Sequence, residues 1–450
     1  ALPPTAKAVG FRAVVSMKIE LGLDSMDELS ASLWAAVLSA LLFNTAYQVW
    51  LRTAPRSWLV IILAMLLYAT AIIVLIGAVT GQMKHHGKKV AWIGVIGLVI
   101  GALALLPNEA ESFFGTDASL FNRLSAELLL EGTNPYTVNL YEHNQYTVSS
   151  HPTPKVGGGQ VGRLSYPAGS VLLAVPSVLL GGPPNGMLTV TLITLLTAVL
   201  LVHDSPALVA PVALITVIGG RSFLFLGAGG GVLDIFWTFP TLLSMRSWHR
   251  GRLRTAAIWL GFAGAIKQTI WFVAPFLAVW LLMRSDRARD GLRDVGTVAV
   301  YGGGAFLLPN LPFLLDAPRA WTLGTFTPLG GHGMLNPLGH GLTMLTWTGL
   351  YPLPQQWYTV ALVSTLLLGL GLYALYWSEQ TAWAAWIAGL ALFVHWRSLN
   401  SYFIYLLPVA YYAVLCQTES LERGYLRRLI SNWRSGATVE HADDTGDPHA

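Results

Sequence analysis

Apolar residues run through the chain in long blocks, at roughly 31–50, 57–79, 90–106, 168–181, 187–202, 206–220, 232–245, 255–283, 295–311, 357–377, 382–396 and 402–416. A helix needs about 20 mostly apolar residues to cross the hydrocarbon core of a bilayer. In lipid every backbone polar group must be paired internally, which leaves helices or a closed barrel. The blocks run well past the roughly ten-residue alternation of a barrel strand, so the pattern predicts helices. The expected fold is all-α, a polytopic transmembrane helix bundle with juxtamembrane helices in its first large outer loop. Residues 1–30 read as a cytoplasmic or interfacial segment, in which Lys7 to Leu23 predicts a weakly amphipathic surface helix. Acidic Asp24, Asp27 and Glu28 follow where a signal peptide would place its cleavage site. Residues 31–434 form the membrane domain, and 435–450, with Asp443, Asp444 and Asp447, read as a disordered cytoplasmic tail.

Composition agrees with the pattern. Hydrophobic residues make up 54% of the 450-residue chain and charged residues only 11%, against about 25% charged in soluble domains. The pI near 9.1 does not point to nucleic acid, because the basic residues sit in short turns between apolar blocks. Three turns are plainly basic: 84–89, 246–254 and 284–293. Arg423, Arg427, Arg428 and Arg434 follow near the C-terminus. The excess of Lys and Arg in cytoplasmic loops places these inside. The segments 107–166 and 312–355, and the turn from His395 to Asn400, then fall outside. Block 255–283 has basic turns at both ends, which predicts a hairpin of two short helices with Lys267-Gln268 at its apex. Between Tyr166 and Arg246 the number of crossings must be odd, so either 168–181 or the segment around Arg221 is half-inserted. The single cysteine, Cys416, lies in an apolar block and reads as a small core residue.

The first outer loop carries the densest chemistry. Leu120, Phe121, Leu124 and Leu128 repeat at helical spacing and predict a short amphipathic helix at the interface. Thr116 or Asp117 starts it, Gly132 ends it, and Asn134-Pro135-Tyr136 turns the chain. Asp117 has two compatible readings. It can cap the helix by accepting free N–H groups of the first turn. It can also serve as a general base at the mouth of a membrane cavity, where partial shielding from water suits a carboxylate to proton abstraction from a hydroxyl.

With its acidic residue, its helix ending in Leu-Leu-Glu-Gly-Thr-Asn-Pro-Tyr and the Tyr166-Pro167 that opens the next block, this loop resembles the GT-C superfamily of membrane glycosyltransferases. The second proline common in that family is Ala168 here. Gly264-Ala-Ile-Lys267-Gln268 to Pro275-Phe276 resembles the family's Lys-Gln hairpin. Asn400-Ser-Tyr402 to Pro408 resembles its late Asn-x-Tyr span, and Gly231 to Asp234 more loosely resembles the polar start of a middle span. The most similar subgroup includes bacterial and archaeal mannosyl- and arabinosyltransferases. The resemblance implies inverting transfer of a sugar (mannose or another hexose or pentose) from polyprenyl phosphate to a glycan or glycolipid at the outer face of the plasma membrane. Asp117 would activate the acceptor, Lys267 and Arg221 are the candidates for contact with donor phosphate, and Gln268 is a further donor- or acceptor-binding candidate. Asn134, Tyr136, Tyr166, His151, Asp234, His332, Asn400 and Tyr402 are further candidates to line the site.

Each candidate has a plainer reading. Lys267 can snorkel to the interface, although an intramembrane charge is a functional hypothesis by default. Arg221 can be an interfacial anchor. His332 and His340 lie in a Gly-Pro loop without metal-ligand spacing, and His143 and His151 follow the first helix. Glu109, Glu111, Glu127 and Glu131 rival Asp117, with Glu127 reading as a solvated face. His203-Asp204 occupies a short interfacial turn. No cofactor is required, though a second carboxylate such as Glu111 could bind a divalent cation. The expected partners are membrane lipids, the polyprenyl-phosphate sugar and its acceptor. The competing class is a transporter or flippase, whose signature would be repeat symmetry and paired broken helices.

Overall fold

The computed structural model describes residues 58–79, 117–143, 159–181, 187–204, 233–330, 341–347, 353–377, 382–399 and most of 402–416, with isolated positions elsewhere. The segments 1–30 and 435–450 and the region around Arg221 lie outside the described residues. The protein is all-α in class. Its only sheet structure among the described residues is two parallel pairs of two-residue strands, β1 (Phe113–Phe114) with β2 (Thr147–Val148) and β3 (Leu338–Gly339) with β4 (Arg397–Ser398).

Among the described residues, two helices are long and apolar enough to cross a membrane, Ala288–Asp316 and Gln356–Tyr376. Only 22% and 17% of their most apolar windows are buried, which sets them apart from the core helix of a soluble domain. The helix α1 (Trp58–Val79) carries no charge and also turns Ile62, Met65, Ile73 and Ile76 outward. Contiguous apolar exposure of this kind is unusual on a soluble monomer.

Helices α2 (Asp117–Leu130), α3 (Ala168–Leu179), α4 (Met187–Asp204) and α5 (Thr238–His249) follow in order. Gly132, at φ +79°, ends α2: it donates to Leu129 O, and Thr133 donates to Leu128 O. This is the left-handed C-cap expected of glycine. Almost all of α2 is covered by protein. Leu130 is its only exposed residue, and polar Ser119, Asn122 and Ser125 are buried together with the leucine stripe. The helix sits inside an apolar cluster with Tyr136, Phe313, Trp321, Tyr358 and Trp396, so it is covered from more sides than its amphipathic pattern announces. Glu127, read as solvated, is half-buried and pairs with Arg123 at 2.6 Å. The 12-residue α3 spans only about 18 Å at 1.5 Å per residue, which fits a half-inserted element.

The hairpin is present. Helix α6 (Leu253–Ile266) stops at Lys267, whose backbone is extended; a 3₁₀ turn covers Gln268–Phe272, and α7 (Ala274–Arg284) returns. Arg252 and Arg254, at the start of α6, share one surface hollow with Asp290 and Arg293 of α8 (Ala288–Asp316). Both hairpin ends therefore lie at the same end of the bundle. Small residues bring α6 against α8: a Cβ on Gly261 would overlap the Gly302 carbonyl, and one on Gly302 would stand 3.2 Å from Ala257 O. Such close approach is a common solution for helices without a hydrophobic drive to associate.

The second outer segment is more helical than expected. Helix α8 runs through Pro309 and Pro312 to Asp316, and α9 (Pro318–Gly330) follows. The Asn310 carboxamide donates to Phe306 O one turn earlier. The short α10 (Thr343–Trp347), α11 (Gln355–Leu372) and the 3₁₀ run Ala382–Leu390 complete the described helical order up to residue 390. A larger apolar cluster, with Leu67, Phe236, Trp237, Phe276 and Tyr373, occupies the bundle and includes Ile266 and Ile270 of the hairpin apex. Cys416 is buried in it.

Candidate active site

A cavity of about 90 Å³ opens where α2 faces the hairpin apex. Asp117, Tyr166, Lys267, Gln268 and Tyr402 line it, brought together from four segments of the chain, and Thr153, His395 and Arg397 complete its polar wall. The volume lies below the roughly 300–1,000 Å³ of a drug-sized ligand site, and Phe121, Val161, Phe272 and Leu392 line the slot beside its charged groups.

Asp117 stands in the first turn of α2. Its Oδ2 accepts the Thr153 N–H at 2.9 Å, a bond from the returning loop and not from its own helix. The local fold explains this. Pairing of Phe113–Phe114 with Thr147–Val148 holds the loop beside the helix start, and the Val161 N–H to Thr153 O bond closes the return. The Thr153 hydroxyl in turn accepts from Arg397 Nη2 at 3.3 Å. One residue thus links the carboxylate to a guanidinium. A charge-assisted bond to the ionised carboxylate also fixes which way it points.

Lys267 is 7% exposed. Its ammonium lies 4.5 Å from the Tyr402 ring centroid and 5.4 Å from that of Tyr166, within range of cation–π attraction. The break between α6 and the 3₁₀ turn puts it there. Continued helix would have carried its side chain to a different face. Burial pushes the Tyr166 phenol well above its ordinary value, with Tyr402 and Asp117 adding and Arg397 opposing, so it enters the site as a neutral group.

Gln268 borders the cavity, but its Nε2 donates to Ser165 O at 2.8 Å and Thr325 O at 2.7 Å. Those bonds tie the hairpin apex to the Tyr-Pro loop and to α9. Asn134 and Tyr136 stand apart from the cavity. The Asn134 Oδ1 accepts the Tyr136 N–H, its Nδ2 donates to Asp316, and Tyr136 donates to Tyr166 O at 2.7 Å. Tyr136 is buried against Phe313, and burial raises its phenol. Asn-Pro-Tyr therefore acts as a latch that holds Tyr166 in place. His143 is exposed and bonds within its own turn to Asn139 O. His203 is exposed, while Asp204 pairs with Arg246 at 2.8 Å and accepts from Tyr412 at 2.7 Å. His151, Arg221, His332, His340, Asn400, Glu109, Glu111 and the side chain of Asp234 lie outside the described residues. Among the described residues no group of three or more His, Cys, Asp or Glu is placed to hold a metal ion.

Arg397 and His395 escaped the sequence reading. The Arg397 N–H donates to His395 Nδ1 at 3.1 Å, and Arg397 Nη1 is buried without a hydrogen-bond partner among the described residues. Leu338–Gly339 pairs with Arg397–Ser398, and Gly339 (φ +128°) and Gly341 (φ +70°) let the backbone press on Ser398 O and Phe393 O. Glycine is needed there because only it takes these angles without strain. Gly339 and Gly341 thus shape the approach of the Gly-Pro loop to the segment that carries Arg397. A signal for Arg397 was present: an arginine in a short turn that the charge pattern predicts to lie outside runs against the positive-inside bias. No family model, curated protein or solved structure matches the chain.

Proposed function

We propose that this chain is a multi-pass membrane glycosyltransferase of GT-C type. It moves a sugar from a polyprenyl-phosphate donor to an extracytoplasmic glycan or glycolipid, with Asp117 as base. The observation that carries the reading is the convergence of one oriented carboxylate and two cations, Lys267 and Arg397, on a single slot. The outward-facing apolar helices and the basic turns support the membrane setting and the sidedness.

The chemistry follows from the parts. Asp117 takes the proton of the acceptor hydroxyl as its oxygen attacks the anomeric carbon. The bond from that carbon to the phosphate oxygen breaks on the opposite face, with inversion, and the electron pair leaves on polyprenyl phosphate. Lys267 and Arg397 stabilise that departing charge, which grows in the transition state. The Thr153 N–H keeps the carboxylate aimed, which is the orientation contribution. Arg397 Nη1, buried and without a partner among the described residues, is the donor most in need of a phosphate oxygen.

The test is incubation of purified protein with a panel of polyprenyl-phosphate sugars and glycolipid acceptors, with products read by mass spectrometry. Asp117→Asn keeps an acceptor for the Thr153 N–H but removes the base, and transfer is expected to fall about 10²–10⁴-fold. An Asp117→Asn protein that transfers at the normal rate would overturn the assignment. So would a protein that carries lipid-linked sugar across liposomes and forms no product, the outcome for a transporter.

A further inference from the structure

A second hollow, of about 730 Å³, lies on the far side of the Asn-Pro-Tyr latch. Lys155 and Arg163, from the loop before α3, and Arg319, from α9, line it, and no Asp or Glu is among its lining residues. Arg163 and Arg319 are exposed and Lys155 is half-buried. None of the three has an ion pair among the described residues. Two nearby acids each accept one hydrogen bond, Asp316 from Asn134 and Glu142 from Asn139, and Asn139 itself lines the hollow.

The walls are built. The Leu140 N–H donates to Gly162 O at 2.7 Å, and Gly162 lets the Asn139 side chain lie directly on the backbone. The first residues of α9, Pro318 to Ala320, form the opposite rim, which adds the positive end of a 13-residue helix. Three cations and a helix start around one hollow make a site complementary to an oxyanion. Its floor includes Tyr136, whose hydroxyl reaches Tyr166 O at 2.7 Å, so the hollow adjoins the Asp117 cavity through a single hydrogen-bonded pair.

We infer that this hollow binds a phosphate-bearing anion, either an anionic lipid headgroup or a soluble phosphate ester, separately from the Asp117 cavity. The inference does not depend on the glycosyltransferase reading. The test uses the full chain in neutral detergent micelles. Binding is measured for dihexanoyl phosphatidylglycerol, dihexanoyl phosphatidylcholine and glycerol phosphate, at low and high salt. The wild type should bind the anionic probes, less tightly at high salt. Lys155→Gln/Arg163→Gln/Arg319→Gln should weaken binding by roughly tenfold or more, given typical values for partly exposed charge pairs. Arg319→Gln alone, at an exposed position, should weaken it by about threefold and serves if the triple variant does not fold. Binding of phosphatidylglycerol without glycerol phosphate identifies a lipid headgroup; binding of both identifies the phosphate ester itself. Equal binding of phosphatidylcholine, absence of binding by either anion, or unchanged affinity in Arg319→Gln would overturn the inference.

Discussion

Replacing Asn310 by alanine tests how the outer part of the site is held together. Asn310 is 0% exposed. Its Oδ1 accepts from Ala168 N–H at 2.8 Å and from Trp321 Nε1–H at 3.1 Å. Ala168 follows Tyr166-Pro167, so this one carboxamide joins α8, α9 and the element that presents Tyr166 to the cavity. Alanine leaves two buried donors unsatisfied at about 1–3 kcal/mol each, a loss of roughly 2–6 kcal/mol. Asn122→Ala is the matched control. Asn122 is 1% exposed, donates to Ala118 O within its own helix, and its Oδ1 has no hydrogen-bond partner among the described residues. Removing it orphans no donor, and the expected loss is below about 1 kcal/mol. Equilibrium unfolding of both variants in mixed micelles gives the difference directly. Equal losses in the two variants would refute the reasoning, since burial and residue type are the same and only the partners differ.

Other substitutions separate catalysis from packing. Arg397→Gln should raise the donor KM and lower kcat of transfer while leaving the unfolding midpoint within error, as checked by steady-state kinetics beside thermal unfolding. Gly341→Ala, at φ +70° and against Phe393 O, should cost about 1 kcal/mol or more and depress transfer by shifting Arg397. Gly302→Leu should destabilise by about 1–3 kcal/mol through overpacking against α6, measured by the same unfolding. Asp204→Asn, with its Arg246 pair largely shielded, should cost about 1–3 kcal/mol without altering donor KM.

The sequence by itself determined the helical class and several of the breaks, though not α9, which lies in a segment read as loop. Apolar block lengths gave the all-α class, flanking arginines gave the 255–283 hairpin, and Gly132 gave the end of α2. These are local or charge-balance effects, written in neighbouring residues. The sequence also named Lys267, as a charge inside an apolar block, and Asp117, as the acid that opens a loop helix, while Tyr166, Gln268 and Tyr402 were named from the resemblance to GT-C glycosyltransferases. What each does was decided by tertiary contacts. Asn134, Tyr136 and Gln268 spend their polar groups on backbone and side-chain partners far along the chain, so they brace the site. Asp117 receives its bond from Thr153, 36 residues onward, where sequence reading offered only its own helix as partner. Arg397 enters the cavity because a two-residue strand pairs across some sixty positions with glycines whose backbone angles no hydrophobic pattern encodes. Periodicity records which way a residue faces within its own helix. The identity of what it faces is settled only when separate segments pack together.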